Sequence, residues 1–207
     1  MNIARQGYRF VIGGLVVALV GFAFGPWGRG PAALGLLFAG FCAYFFRDPE
    51  RPAPADPGRL YSPGDGRVLS VAREGAGDTV TIRIFLSIFN VHLQRNPCSG
   101  TVEKVVREKG GFAMAMKPGA SGNERSIVRL RAARGGAPVV VEQVAGAIAR
   151  RIETWVKEGD VVEAGERYGI IYFGSQVAVH LPAQARPVVR PGDRVVGGVT
   201  PIAEWIA

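Results

Sequence analysis

The pair Gly174-Ser175 lies between two strand-like apolar runs, Tyr168 to Tyr172 and Gln176 to Leu181. Taken alone, a Gly-Ser pair in that setting is a turn or a bulge. Its other chemical use is as a nucleophile, because a serine hydroxyl with a neighbouring base can attack a carbonyl. The chain has only two histidines to act as that base. His92 lies in Phe85-Leu-Ser-Ile-Phe-Asn-Val-His-Leu-Gln-Arg-Asn-Pro97, where Asn90, Gln94 and Arg95 make the segment polar beside an apolar run. Such a change is expected where a strand ends at a site. His180 alternates with Val177, Val179 and Leu181, as an ordinary strand residue would. One carboxylate draws notice: Ser62-Pro-Gly-Asp-Gly-Arg-Val68 places Asp65 between glycines, either as an Asp-Gly turn or as an acid/base group. The sequence has no Gly-x-Ser-x-Gly elbow, glycine-rich phosphate loop, cysteine pair or His-x-x-x-His. A standard hydrolase serine and a metal centre are therefore not expected.

These residues need a scaffold. From Leu60 onward, short β-type runs are split by glycines: 67–71, 79–86, 100–106, 126–131, 138–142, 168–172 and 176–181. That spacing predicts a mainly β (α+β) unit of sandwich or barrel-like form. A helical segment is predicted over Val144 to Trp155, weakened by Gly146. Glu158-Gly-Asp-Val-Val-Glu-Ala-Gly165 resembles the hammerhead of biotinyl and lipoyl carriers, which makes the C-terminal part hammerhead-like. It offers no carrier lysine at its tip.

The first 47 residues differ in kind. Phe10 to Gly25 and Ala32 to Phe46 carry no charge and flank Pro26-Trp-Gly-Arg-Gly-Pro31, a tight reversal. Each run is slightly shorter than the roughly 20 residues that cross a bilayer comfortably. They read as a membrane-anchoring helical hairpin over 1–47, either spanning the bilayer or dipping into it. Arg5, Arg9, Arg47 and Arg51 flank it and Arg29 alone sits in the turn, so the positive-inside rule puts both ends and everything downstream on the cytoplasmic side of the cell membrane. Residues 48–59 form a proline-rich linker, and 60–207 the domain that would carry the chemistry. The net charge of +8 calls for a polyanion. With an apolar N-terminus and no aromatic-basic motif, that partner is an anionic membrane lipid and not nucleic acid. Two cysteines, Cys42 and Cys98, make no disulfide framework.

Several stretches together carry a resemblance. They are Phe45-Phe-Arg-Asp-Pro-Glu-Arg51, Ser62 to Val68, Leu86 to Pro97, Gln143-Val-Ala-Gly-Ala-Ile-Ala-Arg-Arg-Ile152 and Phe173-Gly-Ser-Gln-Val177. In this order they resemble the short-form, pyruvoyl-dependent phosphatidylserine decarboxylases. The resemblance implies a proenzyme that cuts itself between Gly174 and Ser175. In that family the serine hydroxyl attacks the preceding carbonyl, elimination follows, and loss of ammonia leaves a pyruvoyl group at residue 175. Ser175 then provides the covalent cofactor, to which the amine of phosphatidylserine condenses; carbon dioxide leaves and phosphatidylethanolamine is the product. The mature protein is implied to be a heterodimer of its own chains 1–174 and 175–207, compatible with a higher oligomer. His92 and Asp65 match the family's histidine and aspartate and are expected to form an acid/base pair. Longer members carry a second histidine where this chain has Arg95, which leaves open how cleavage and decarboxylation are divided between His92 and Asp65.

Two competing readings follow from the residues. A membrane-anchored hammerhead-like adaptor without catalysis would keep an intact chain and lose nothing on Ser175→Ala. A membrane-bound serine hydrolase would label at Ser175 with a fluorophosphonate and hold no ketone.

Overall fold

The computed structural model describes residues 2–74, 79–111, 122–146, 151–173 and 175–206. The chain divides into two compact units, Met1–Glu50 and Arg51–Ala207. In the first, helices α1 (Tyr8–Ala23) and α2 (Arg29–Phe45) are joined by a 3-10 turn over Gly25–Gly28. They meet through small residues: Gly14, Ala18 and Gly21 on one helix, Ala32, Gly35 and Ala39 on the other. A Cβ on Gly35 would lie 2.6 Å from the Ala18 backbone nitrogen, so only glycine permits this approach. The large side chains point outward, with Leu19 71%, Leu37 70% and Trp27 93% exposed. That is the inverse of a soluble helix pair and suits lipid surroundings, where a helix satisfies its own backbone. The segment Arg5–Ala23 is long and apolar enough to cross a membrane.

The second unit is β throughout among its described residues. Its strands are β1 (Arg59–Tyr61), β2 (Gly66–Glu74), β3 (Thr79–Leu86), β4 (Leu93–Arg95), β5 (Gly100–Glu108), β6 (Arg125–Ala132) and β7 (Pro138–Ala145). They continue as β8 (Ile152–Thr154), β9 (Val161–Val162), β10 (Arg167–Ile171), β11 (Ser175–His180), β12 (Ala185–Pro187), β13 (Arg194–Val195) and β14 (Pro201–Trp205). An eight-stranded curled sheet runs β13-β2-β3-β11-β7-β6-β5-β9, and two three-stranded sheets run β1-β14-β12 and β4-β10-β8. Alternating Ile82, Ile84, Leu86, Val139, Val141, Val177 and Val179 turn one face of the large sheet into the core.

This order is that of two interlaced copies of one seven-stranded unit. One copy is contiguous, β4 to β10. The other consists of β1–β3 and β11–β14, and the first is inserted between those two parts. The registers agree residue by residue. The bulge between Val68 and Ser70 in β2 recurs between Val102 and Lys104 in β5. The Val68 N–H donates to Asp193 O, as the Val102 N–H donates to Asp160 O. The Gly-Asp turns at Gly159 and Gly192 share positive φ values of 91° and 97°, and in each an Asp side chain accepts from the backbone N–H three residues earlier. The hammerhead-like stretch at 158–165 therefore has a twin at 191–198. The Tyr61 N–H donates to Pro97 O and the Arg95 N–H to Pro63 O, which are the same bond made in both directions.

The helix expected over Val144 to Trp155 is not formed. Val144 and Ala145 complete β7 opposite Gln176 and Ser175, and Ile152–Thr154 is β8, paired with β10. The β-branched Val144, Ile152 and Thr154 fit these pairings, and sheet closure outweighs the local helical preference. Residues 147–150 of that stretch lie outside the described residues.

Candidate functional site

Two chain links cross between the interlaced copies: the one leaving β3 for β4, and the one returning from β10 to β11. His92 is on the first and Ser175 ends the second. They are fastened to each other at two points. Ser175 is the register partner of Leu86, where the outgoing link starts. The Ile171 N–H donates to the carbonyl of His92 (3.3 Å), where that link ends. Between these points the return link passes from one sheet into another. Tyr172 is tied by its N–H to Arg151 O (3.1 Å) and by its hydroxyl to Glu153 (2.7 Å). Phe173 then has φ +56°, the one positive φ of a non-glycine residue among the described residues. A bulky residue in that region stores roughly 1–2 kcal/mol of strain. Gly174, the expected residue before the cut, lies outside the described residues.

Ser175 opens β11, fully buried, with Leu86 on one side and Ala145 on the other. Its Oγ has no hydrogen-bond partner among the described residues. Leaving a buried hydroxyl so costs about 1–3 kcal/mol, which is unusual for a purely structural serine. His92 is also fully buried, and its Nδ1 lies 3.0 Å from the carbonyl oxygen of Asn90. A carbonyl only accepts, so Nδ1 carries the proton and Nε2 is the basic nitrogen of the neutral ring. Asn90 is held by Ser87, whose N–H and hydroxyl both donate to Asn90 Oδ1 (2.9 and 2.8 Å). The tautomer of His92 is thereby set by a short, tied loop.

Asp65 sits on the turn beneath this crossing. Arg51 clamps it with two bonds, Nη1 to Oδ1 (2.7 Å) and Nη2 to Oδ2 (2.8 Å), and the Gly197 N–H donates to Oδ1 (2.8 Å). The pair is largely shielded, with side chains 8% and 14% exposed. Arg51 also donates to the Gly197 carbonyl. The counterpart of Asp65 in the inserted copy is Ser99, whose Oγ accepts from the Ala164 N–H (3.0 Å). Capping this turn is thus common to both copies, while the charge and its arginine belong to one. The Asp65 turn touches the crossing through Gly64, where a Cβ would meet the Gln94 amide at 3.0 Å and Leu86 at 3.3 Å.

His180 points the other way. It is the register partner of Val140 on the face opposite Ser175 Oγ, bonded to Thr81 (2.9 Å) and near Glu142 (3.4 Å). Burial alone would push the Glu142 carboxyl up, but His180, Arg125 and Arg83 hold it below the usual carboxylate range. Of the two histidines only His92 belongs to the Ser175 crossing. Burial pushes the Cys98 thiol up to about 12, so it is no competing nucleophile.

Sequence reasoning quoted Arg51 only as part of a motif and as a flanking charge, and assigned no role to Gln94 or Gln143. Both glutamines are fully buried. The available signal was a glutamine on the inward, otherwise apolar register of β7.

A sequence model described as phosphatidylserine decarboxylase matches residues 38–203. The chain belongs to the phosphatidylserine decarboxylase family. A phosphatidylserine decarboxylase proenzyme of Granulibacter bethesdensis is 45% identical over 204 residues, covering 94% of this chain and 82% of that protein. The one from Symbiobacterium thermophilum is 45% identical over 206 residues, covering 97% and 94%. The one from Cupriavidus metallidurans is 40% identical over 208 residues, covering 98% and 94%. The resemblance drawn from five short stretches thus extends over nearly the whole chain.

Proposed function

We propose that this protein is a membrane-anchored proenzyme that cuts itself between Gly174 and Ser175 and then converts phosphatidylserine to phosphatidylethanolamine and carbon dioxide. What carries the reading is Ser175: a buried serine whose hydroxyl has no partner among the described residues, one residue beyond a glycine and two beyond a strained phenylalanine. Ser175 fits a covalent pyruvoyl group, since the residue is buried among Leu86 and Ala145, away from competing water. When formed, that group supplies a ketone that takes up the substrate amine and accepts the electron pair released with carbon dioxide.

The chain's own residues act as follows. His92 Nε2 accepts the Ser175 Oγ proton as Oγ bonds to the Gly174 carbonyl carbon; the peptide nitrogen leaves as an amine, and an ester replaces the amide. Loss of the Ser175 α-proton expels the Gly174 carboxylate from the ester and leaves a dehydroalanine. Water then replaces its nitrogen, ammonia departs, and the new N-terminus is a ketone. In turnover His92 holds the proton that the product must regain in place of carbon dioxide. The crowded hydrogen bonds of Asp65 give it the positioning share of the acid/base pair: it orders the turn on which Gln94 and Leu86 rest. Arg5, Arg9, Arg47 and Arg51 put the hairpin ends, and the β unit, on the cytoplasmic side of the cell membrane.

Intact mass spectrometry of the purified protein, with and without a carbonyl reagent, tests this. Wild type should give two fragments, 1–174 and 175–207, with the reagent on the smaller, and Ser175→Ala should stay whole. A single full-length mass without a carbonyl adduct overturns the proposal.

A further inference from the structure

Beside Ser175 lies a layer of polar side chains, Gln94, Ser126 and Gln143 buried and Thr154 half-buried, that the proposed chemistry does not use. On β7, Gln143 is the register partner of Val177, one inward position along from the Ala145–Ser175 pair. Diagonal neighbours of this kind lie about 7 Å apart, within reach of a glutamine side chain. The Gln143 amide is oriented. Its Oε1 accepts from the Thr154 hydroxyl (2.9 Å), which therefore receives its own hydrogen bond from Ser126 (2.7 Å). Ser126, Thr154 and Gln143 form a relay that leaves Nε2 as the outward donor. That Nε2 has no partner among the described residues. It lies against Gly169, where a Cβ would come within 3.0 Å of it. Across Gly169 in the small sheet is Gln94, whose Oε1 is also without a partner among the described residues.

The interlaced copy provides an internal comparison. The register that makes Ser175 equivalent to Ala137 also makes Gln94, Ser126, Gln143, Thr154 and Gly169 equivalent to Leu60, Val80, Leu181, Pro187 and Ala203. Around Ala137 the layer is apolar, and the fold closes there without any of these groups. Around Ser175 every one of the four side chains is polar, and the fifth residue is stripped to glycine. Packing does not require this, and two unpaired buried amide atoms cost stability.

We infer that Gln143 is a specificity-determining donor that binds the carboxylate of the serine head group next to residue 175. The inference rests on the proposed decarboxylation. A neutral amide suits a carboxylate that must leave as neutral carbon dioxide. It orients the group, whereas an arginine would hold the charged ground state more tightly than the transition state. On the large sheet the neighbours of Ser175 and Gln143 are the apolar Ile84, Leu86, Ala145 and Val177, and Gln143 Nε2 is the donor of the polar layer that its relay leaves uncommitted. Gln143 and residue 175 lie on the same inward face, one diagonal register step apart.

The test uses the processed protein and Gln143→Leu, Gln143→Glu and Thr154→Val. Each variant should still yield two fragments and a carbonyl-reagent adduct on the smaller. Protection of that carbonyl by soluble glycerophosphoserine should shift to roughly ten- to hundredfold higher concentration in Gln143→Leu, the loss of one hydrogen bond to a charged group. The shift should be larger in Gln143→Glu and smaller in Thr154→Val. Protection by glycerophosphoethanolamine, which has no carboxylate, should be unchanged throughout. KM for phosphatidylserine should rise with the protection shift while kcat changes less. Equal shifts for both ligands, no shift, or a variant that stays uncut while Gln143→Glu is cut would overturn the inference and make Gln143 a part of cleavage or packing. A wild-type chain without the carbonyl adduct overturns it together with the proposed function, and that outcome is visible before any variant is made.

Discussion

Phe173 offers the sharpest test of how the fold would drive the proposed cleavage. Its φ of +56° puts a Cβ where the backbone allows only glycine comfortably. The cause is topological, because the return link is fastened at Ile171 to His92 and at Ser175 to Leu86, with three residues between those points. If the strain is released on the way to the transition state for cutting the next peptide bond but one, all of it lowers the barrier. The conformational cost is about 1–2 kcal/mol. Phe173→Gly removes it and should slow cleavage by roughly five- to thirtyfold, taking 1.36 kcal/mol per factor of ten. Phe173→Ala keeps the Cβ and hence the strain while losing the ring, so its rate should stay within about threefold of wild type, under 1 kcal/mol of barrier. The assay is a time course of fragment appearance by mass spectrometry after a translation pulse. An unchanged or faster rate in Phe173→Gly refutes the strain argument. Equal slowing in Gly and Ala variants refutes it as well, by assigning the effect to the ring.

His92→Ala should reduce cleavage by about 10²–10⁴-fold, with partial recovery in added imidazole; full-rate cleavage without rescue would remove His92 as the base. Arg51→Met leaves the Asp65 carboxylate largely shielded without its clamp and should cost about 3–5 kcal/mol in denaturant unfolding, whereas Arg51→Met with Asp65→Leu should regain most of that loss. A double variant no more stable than the single one would refute the clamp. Ala137→Ser puts a serine directly after Gly136, at the position equivalent to the Gly174-Ser175 pair. Mass spectrometry should find no cut there, since the hairpin turn Ala132 to Ala137 brings no histidine. A cut after Gly136 would show that glycine and serine suffice without the crossing links.

The strands were legible in the sequence because their β-branched runs alternate and glycines punctuate them. The hairpin was legible because uncharged runs of that length have few other uses. The helix over 144–155 was misjudged because a local preference there competes with two strand pairings to distant residues, 152–154 with 169–171 and 144–145 with 175–176. The interlaced copies were hidden for the same reason: Ser62-Pro-Gly-Asp-Gly-Arg-Val68 and Asn96-Pro-Cys-Ser-Gly-Thr-Val102 share little beyond Pro, Gly and Val, and only register reveals them as equals. Among the candidate site residues, Ser175 and His92 stood out by type. Arg51 and Gln143 did not, because their significance lies in being shielded and in what they face, which no spacing along the chain encodes.

The crossing of two links has one further consequence. Chain ends made by translation belong on a protein's outside, where a mobile charged terminus costs nothing. β11 is laced into the middle of the large sheet, six residues paired with β3 on one side and six with β7 on the other. A break at its first residue would give the molecule an N-terminus in its interior, at a place no nascent end could have been threaded to. The two pieces would remain one body, because β11 is hemmed in on both flanks and β14 lies between β1 and β12. Folding would have to come first and the terminus afterwards. Under the proposed cleavage, the uncut chain would be the jig that sets a reactive chain end in its socket.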